Sequence, residues 1–224
     1  MDTPLADGAT ADRASGDPEA RPRWEWRIVA PAPSATIAAA FAASETLSTS
    51  PAALEEIYVL SAASPTNVKI RADRLDVKVL EDTSPDGLER WRTVLKRPFP
   101  IDHEAWEVLW RAWGVPQPIS SRREYTVQQL LNEVAGTAPV LRAVAVTKRR
   151  TRLAAHGCPG ERAWLAVEGQ SIETFALEHE DPALVAAAVR ALGLETMPAT
   201  NYPAALKRLA GMPLAASRSP LVGI

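Results

Sequence analysis

The chain is poor in cysteine: Cys158 is the single one among 224 residues. That excludes an internal disulfide and a structural zinc centre built from several thiolates. Histidine is nearly as scarce, and His103, His156 and His179 lie scattered along the chain. No apolar run approaches the roughly eighteen residues of a membrane span. The opening stretch, MDTPLADGATADRASGDPEARPR, lacks the basic-then-apolar order of a secretory signal. These absences predict a cytoplasmic protein with no membrane partner. An excess of one charge is missing too. The 25 basic side chains meet 27 acidic ones, for a net charge of −2, which argues against bulk nucleic-acid binding. No P-loop, nucleophile elbow, zinc-protease motif or dinucleotide fingerprint occurs.

What is present is the composition of a soluble globular protein, 46% hydrophobic and 23% charged. The length suits one full domain, or at most two small ones. Residues 1–22 show no periodicity and read as a disordered tail, and 213–224 read the same way. The folded domain is expected over 23–212.

Strands dominate that span. RWEWRIVA alternates Arg23, Glu25 and Arg27 against Trp24, Trp26 and Ile28, the period of a half-buried strand. Glu56–Ala62 reads as extended. Asn67–Arg71 and Arg74–Leu80 alternate in the same way, and the Ala72-Asp73 link predicts a hairpin. Further strands are expected at Leu88–Lys96, at LRAVAVTKRRTRLAAHG, at RAWLAVEG and at SIETFALEHE. Helices are predicted after the capping residues Ser34, Asp102, Thr126 and Asp181, with a last short one in NYPAALKRLAG. Trp106, Trp110 and Trp113 fall at helical spacing and read as core rather than as an exposed docking surface. HGCPG reads as a hairpin turn, which disfavours a Cys158–His156 catalytic dyad. Many antiparallel strands with helices between and after them mean an α+β fold, and closing the sheet would hide its edges.

The unusual feature is the polar side of these strands. Arg23, Arg27, Lys69, Arg71, Arg74, Lys78, Lys148, Arg150 and Arg152 stand at alternate positions, and Glu25, Glu178 and Glu180 obey the same rule. One reading is the solvated face of an open sheet. The other is a charged lumen, whose cations require carboxylates or an anion. Guanidinium groups suit phosphate in particular, because they bind it bidentately.

In the order of these motifs the chain resembles the CYTH superfamily, the triphosphate tunnel metalloenzymes. Arg23-Trp24-Glu25-Trp26-Arg27 is similar to the family's opening ExExK strand, with Arg23 in place of its first glutamate. Lys69-Ile70-Arg71, Lys78, Lys148-Arg149-Arg150 and Glu178-His179-Glu180 resemble its later basic and acidic strands. Glu168 falls near a position that is often acidic in the family, and Arg92 stands where many members carry glutamate.

The resemblance implies an antiparallel eight-stranded β-barrel, or tunnel, with flanking helices. It implies phosphate contacts from Lys69, Arg71, Lys78, Lys148, Arg150 and Arg152, and catalytic roles for Glu25 and Arg27. It implies Mg2+ or Mn2+ on Glu25, Glu178 and Glu180, with a triphosphate or nucleotide as substrate. A homodimer is one expected assembly, and the sequence leaves the oligomeric state open. Metal-dependent hydrolysis of a triphosphate is the first expectation, and cyclase chemistry shares the same motifs. The alternative is a tunnel-fold module that binds a polyphosphorylated ligand or a protein partner without turnover. Arg23 and Arg92 favour the alternative, because a cation beside the expected metal opposes its binding.

Overall fold

The computed structural model describes residues 21–214. The two expected tails lie outside them, apart from residues 21 and 22 of the first and 213 and 214 of the second. The described residues form eleven strands and five helices. The strands are β1 (Arg23–Pro31), β2 (Glu45–Thr49), β3 (Leu54–Ser61), β4 (Asn67–Arg71), β5 (Arg74–Thr83), β6 (Glu89–Pro98), β7 (Ile101–Asp102), β8 (Glu124–Tyr125), β9 (Leu141–Ala155), β10 (Cys158–Val167) and β11 (Gln170–His179). The helices are α1 (Ala35–Ala42), α2 (His103–Trp113), α3 (Val127–Gly136), α4 (Pro182–Ala191) and α5 (Tyr202–Leu209).

Eight strands close into an antiparallel barrel in the order β10-β11-β1-β6-β5-β4-β3-β9, and β9 pairs back onto β10. The fold is therefore α+β, a closed eight-stranded barrel with flanking helices. The long strand β9 makes closure possible. Its first half pairs with β3 and its second half with β2, so β2 and β3 act as one interrupted strand along it. Two-residue links with positive φ at Ala72-Asp73, His156-Gly157 and Glu168-Gly169 join β4 to β5, β9 to β10 and β10 to β11. Such links match the twist of paired strands. The sequence reading misses β2, every residue of which is exposed and so carries no alternating pattern.

The apolar faces of the strands point outward, under the helices. Val68, Ile70, Leu75 and Val77 meet Trp106, Leu109, Trp110 and Trp113 of α2. Trp26, Ile28, Phe175 and Leu177 meet α1 and α4. Helix α2 starts where the Asp102 side chain accepts from the Ala105 N–H, and it ends at Gly114 in the left-handed region. Its three tryptophans are buried, which removes the reading of an exposed aromatic docking face. No helix of the described residues is long and apolar enough to cross a membrane.

The barrel interior is divided along its axis. On β9, Val144 and Val146 share a face with Lys148, Arg150 and Arg152, so one strand supplies an apolar half and then a cationic half. Leu60, Val144, Val146, Leu165, Val167 and Ile172 form the apolar half, and α5 fills it with Tyr202, Leu206 and Ala210. Each buried leucine, valine or isoleucine here contributes about 1.5–3 kcal/mol. Three polar contacts fix the helix. Asn201 caps it and donates to Glu89 at 2.7 Å, Lys207 donates to the Ser64 carbonyl at 2.7 Å, and Arg142 donates to the Ala210 carbonyl. The other half of the interior, left unfilled, is a charged cavity.

Candidate functional site

The cavity measures about 430 Å³. Seven cationic side chains and four carboxylates line it, an excess of three positive charges. Strand alternation sets the lining. Arg23, Glu25 and Arg27 come from β1, Lys69 from β4, Asp76 and Lys78 from β5, and Lys148, Arg150 and Arg152 from β9. Glu161 comes from β10, Glu178 from β11 and Tyr202 from α5. The cations thus converge on one enclosed space from four strands of the barrel wall.

Glu161 is the central carboxylate. It accepts from Lys148 Nζ at 2.7 Å and from the Tyr202 hydroxyl at 3.2 Å, and Arg150 lies 3.7 Å away. Burial pushes its carboxyl up, but the charges of Lys148 and Arg27 outweigh this and bring its pKa down to about 2. Burial works against the charge of Lys148, yet Tyr202 and Glu161 beside it raise the amine above the ordinary lysine range. Glu161 is absent from the expected site because the expected strand begins only at Arg162. Tyr202 is absent because its position in the lumen is a tertiary fact about α5.

A second cluster surrounds Glu56. This buried carboxylate lies 3.2 Å from Arg71 and 3.9 Å from Lys69, and it accepts from the Tyr58 hydroxyl at 2.9 Å. Asp76 lies 3.8 Å from the same Lys69. Burial lowers the pKa of Lys69 despite these two acids. Among the described residues, Lys78 and Arg152 line the cavity with no carboxylate within ion-pair distance, and the charge of Lys78 reaches Glu25 at longer range.

The expected phosphate ligands therefore divide. Lys69, Lys78, Lys148, Arg150 and Arg152 line the cavity, whereas Arg71 sits outside the lining on Glu56. Arg74 is exposed at the β4–β5 hairpin. Glu25 and Arg27, expected to be catalytic, line the cavity bound to each other at 2.8 Å. Burial opposes the charge of Glu25, and Arg27 more than offsets it, holding the carboxyl below its usual range.

The expected metal ligands are each engaged by arginine. Glu25 pairs with Arg27, Glu178 with Arg23 at 3.3 Å, and Glu180 with Arg21 at 3.4 Å. Glu25 and Glu178 face each other across β1 and β11, but Glu180 follows the end of β11 and is exposed, outside the cavity lining. Among the described residues no three His, Cys, Asp or Glu side chains gather to hold a metal ion. Arginine side chains therefore engage all three of the expected metal-side carboxylates.

Arg92 pairs with Glu81 and does not line the cavity. Glu168 occupies the β10–β11 turn and pairs with Arg142 at 3.1 Å. Cys158 is buried, and burial pushes its thiol up to about 11, so it is no nucleophile.

No family model and no curated protein matches the chain. Solved structures similar to it include a conserved hypothetical protein from Pyrococcus furiosus, at 12% identity and a TM-score of 0.40, over 81% of this chain and 98% of that one. A protein from Bacillus halodurans described as a "putative adenylate cyclase" is similar at 8% identity and a TM-score of 0.40, over 80% of this chain and 95% of that one. The PH1012 protein from Pyrococcus horikoshii is similar at 13% identity and a TM-score of 0.41, over 80% of this chain and 98% of that one.

Proposed function

We propose that the barrel cavity binds a short polyphosphate or polyphosphate ester without a divalent metal. The observation that carries this reading is the excess of cationic side chains inside an enclosed space. Lys78 and Arg152 have no carboxylate within ion-pair distance, and Lys69, Lys148 and Arg150 share their acids with other cations. A linear anion with several phosphoryl groups neutralises cations that stand on opposite walls, which a single carboxylate cannot do. Guanidinium forks supply directed hydrogen bonds and lysines supply point charge. The resemblance to the triphosphate tunnel enzymes supports the same ligand class.

Metal-dependent hydrolysis is the less supported reading, because the carboxylates it requires are already paired with Arg21, Arg23 and Arg27. Calorimetric titration with tripolyphosphate separates the two. The account expects binding in excess EDTA, weakened by Arg150→Ala, with no phosphate released when Mg2+ or Mn2+ replaces EDTA. Binding that requires metal, followed by phosphate release that Glu178→Ala abolishes, would establish the hydrolase instead.

A further inference from the structure

The chain enters the barrel at the cationic end of its interior. Strand β1 runs antiparallel to β11, with Trp24 opposite His179 and Pro31 opposite Ile172. Ile172 belongs to the apolar half that α5 fills, so the start of β1 lies at the unfilled end. Arg23 lines the cavity there, and Arg21 pairs with Glu180 just past the end of β11.

The sequence that leads to this point is acidic. Within residues 1–20, Asp2, Asp7, Asp12, Asp17 and Glu19 outnumber the single cation Arg13, for a net charge of −4, whereas the remainder of the chain is net positive at +2. Met1 and Leu5 are the only large apolar side chains of this segment, too few for a core of its own. Its length suffices to enter the barrel. An extended residue spans about 3.3–3.6 Å, so Asp17 and Glu19 come within about 15 Å of Arg21 and Asp12 within about 33 Å. The cavity carries three more cations than carboxylates, and Asp12, Asp17 and Glu19 supply three carboxylates. Enclosed cations without counter-charge are unfavourable, and a tethered segment meets them at an effective concentration in the millimolar range.

From this we infer that the N-terminal segment, through Asp12, Asp17 and Glu19, docks in the cavity of its own chain as an internal anion. The segment neutralises Lys78 and Arg152, and a polyphosphate must displace it to bind. Carboxylates offer guanidinium groups the same two-pronged contact as phosphate, with less charge per group, so a polyphosphate wins the exchange. The docking needs only the cationic excess and goes beyond the polyphosphate reading.

Carbodiimide cross-linking of the full chain in metal-free buffer, with the products mapped by mass spectrometry, tests the contact directly, because the reagent joins a carboxylate to an amine that touches it. An amide from Asp12, Asp17 or Glu19 to Lys69 or Lys78 of the same chain is expected, and excess tripolyphosphate should suppress it. Calorimetry supplies the second readout. Asp12→Asn, Asp17→Asn and Glu19→Gln together should tighten tripolyphosphate binding about fivefold, the factor for a segment that fills the cavity about four-fifths of the time. Glu104→Gln, Glu107→Gln and Glu195→Gln remove as much charge from exposed positions elsewhere and should change the affinity less than about twofold. No such amide, or one formed only between two chains, overturns the inference, as does equal tightening in both triple variants. If the amide forms but tripolyphosphate binds neither the wild type nor the first triple variant, the polyphosphate reading falls and the docking stands.

Discussion

The guanidinium of Arg27, on the first strand of the barrel, stands 4.0 Å from the ring centre of Tyr202, on the last helix. The Lys148 amine lies 4.8 Å from the same ring, on β9. The Tyr202 hydroxyl contacts both Thr174 and Glu161, at 3.2 Å each. One side chain thus forms the floor of the cationic cavity and the top of the apolar plug. Such cation–aromatic contacts gain strength when desolvated.

Tyr202→Ala removes that floor. Urea denaturation should show a loss of about 3–5 kcal/mol, the usual cost of truncating a buried aromatic residue. Tyr202→Phe keeps the ring and should lose less than half as much. Equal losses in the two variants would place the contribution in the hydroxyl rather than in the ring.

Glu161 makes stability depend on acid. Its folded pKa, about 2, lies below the ordinary value of 4.5, so its contribution is complete above the ordinary value and drains away as pH falls toward 2. A difference of this size is worth about 3 kcal/mol. The stability curve of Glu161→Gln should therefore be flatter than that of the wild type between pH 5 and 2. Parallel curves would show that Glu161 is not held ionised by Lys148 and Arg27.

The alternation of Arg23, Glu25 and Arg27, and of Lys148, Arg150 and Arg152, makes the cavity wall legible in the sequence, because period two fixes which side chains share a face. Partner choice is not legible there. Glu161 pairs with Lys148 only because β10 and β9 sit in a particular register, with Glu161 opposite Arg152. Glu180 shares the periodicity of Glu178, but the strand ends at His179 and the chain turns away. Tyr202 lies on a helix whose docking inside the barrel leaves no strand-like signal. Strand β2 is hidden for the opposite reason: it is uniformly exposed, and its bulge against β9 has no periodic signature.

Arg23 occupies the place where the resembling family carries glutamate, and here it holds Glu178 at 3.3 Å. Arg23→Glu exchanges a cation for a carboxylate beside Glu25 and Glu178. It should create Mn2+ binding, visible by electron paramagnetic resonance, and weaken tripolyphosphate binding in EDTA. Mn2+ binding by the wild type that Glu25→Gln abolishes would contradict the reading that arginines occupy these acids.

Lys207 carries its charge inside the protein, with a hydrogen bond to the Ser64 carbonyl. Burial lowers its pKa from 10.5 to about 8. The unfolded chain therefore holds the proton to higher pH than the folded one, and stability rises as pH climbs from about 8 toward 10.5. Lys207→Met should flatten that rise when thermal unfolding is followed from pH 7 to 10. A rise of the same slope in the variant would assign it to another group.

The convergence of cations on one cavity is tested most directly by a crystal of the wild-type protein grown with tripolyphosphate and EDTA. The account predicts a phosphoryl chain inside the barrel, spanning from Lys69 and Lys78 to Arg150 and Arg152, above the Tyr202 ring. An empty cavity, with phosphate bound only to arginines on the outer surface such as Arg90 or Arg92, would contradict it.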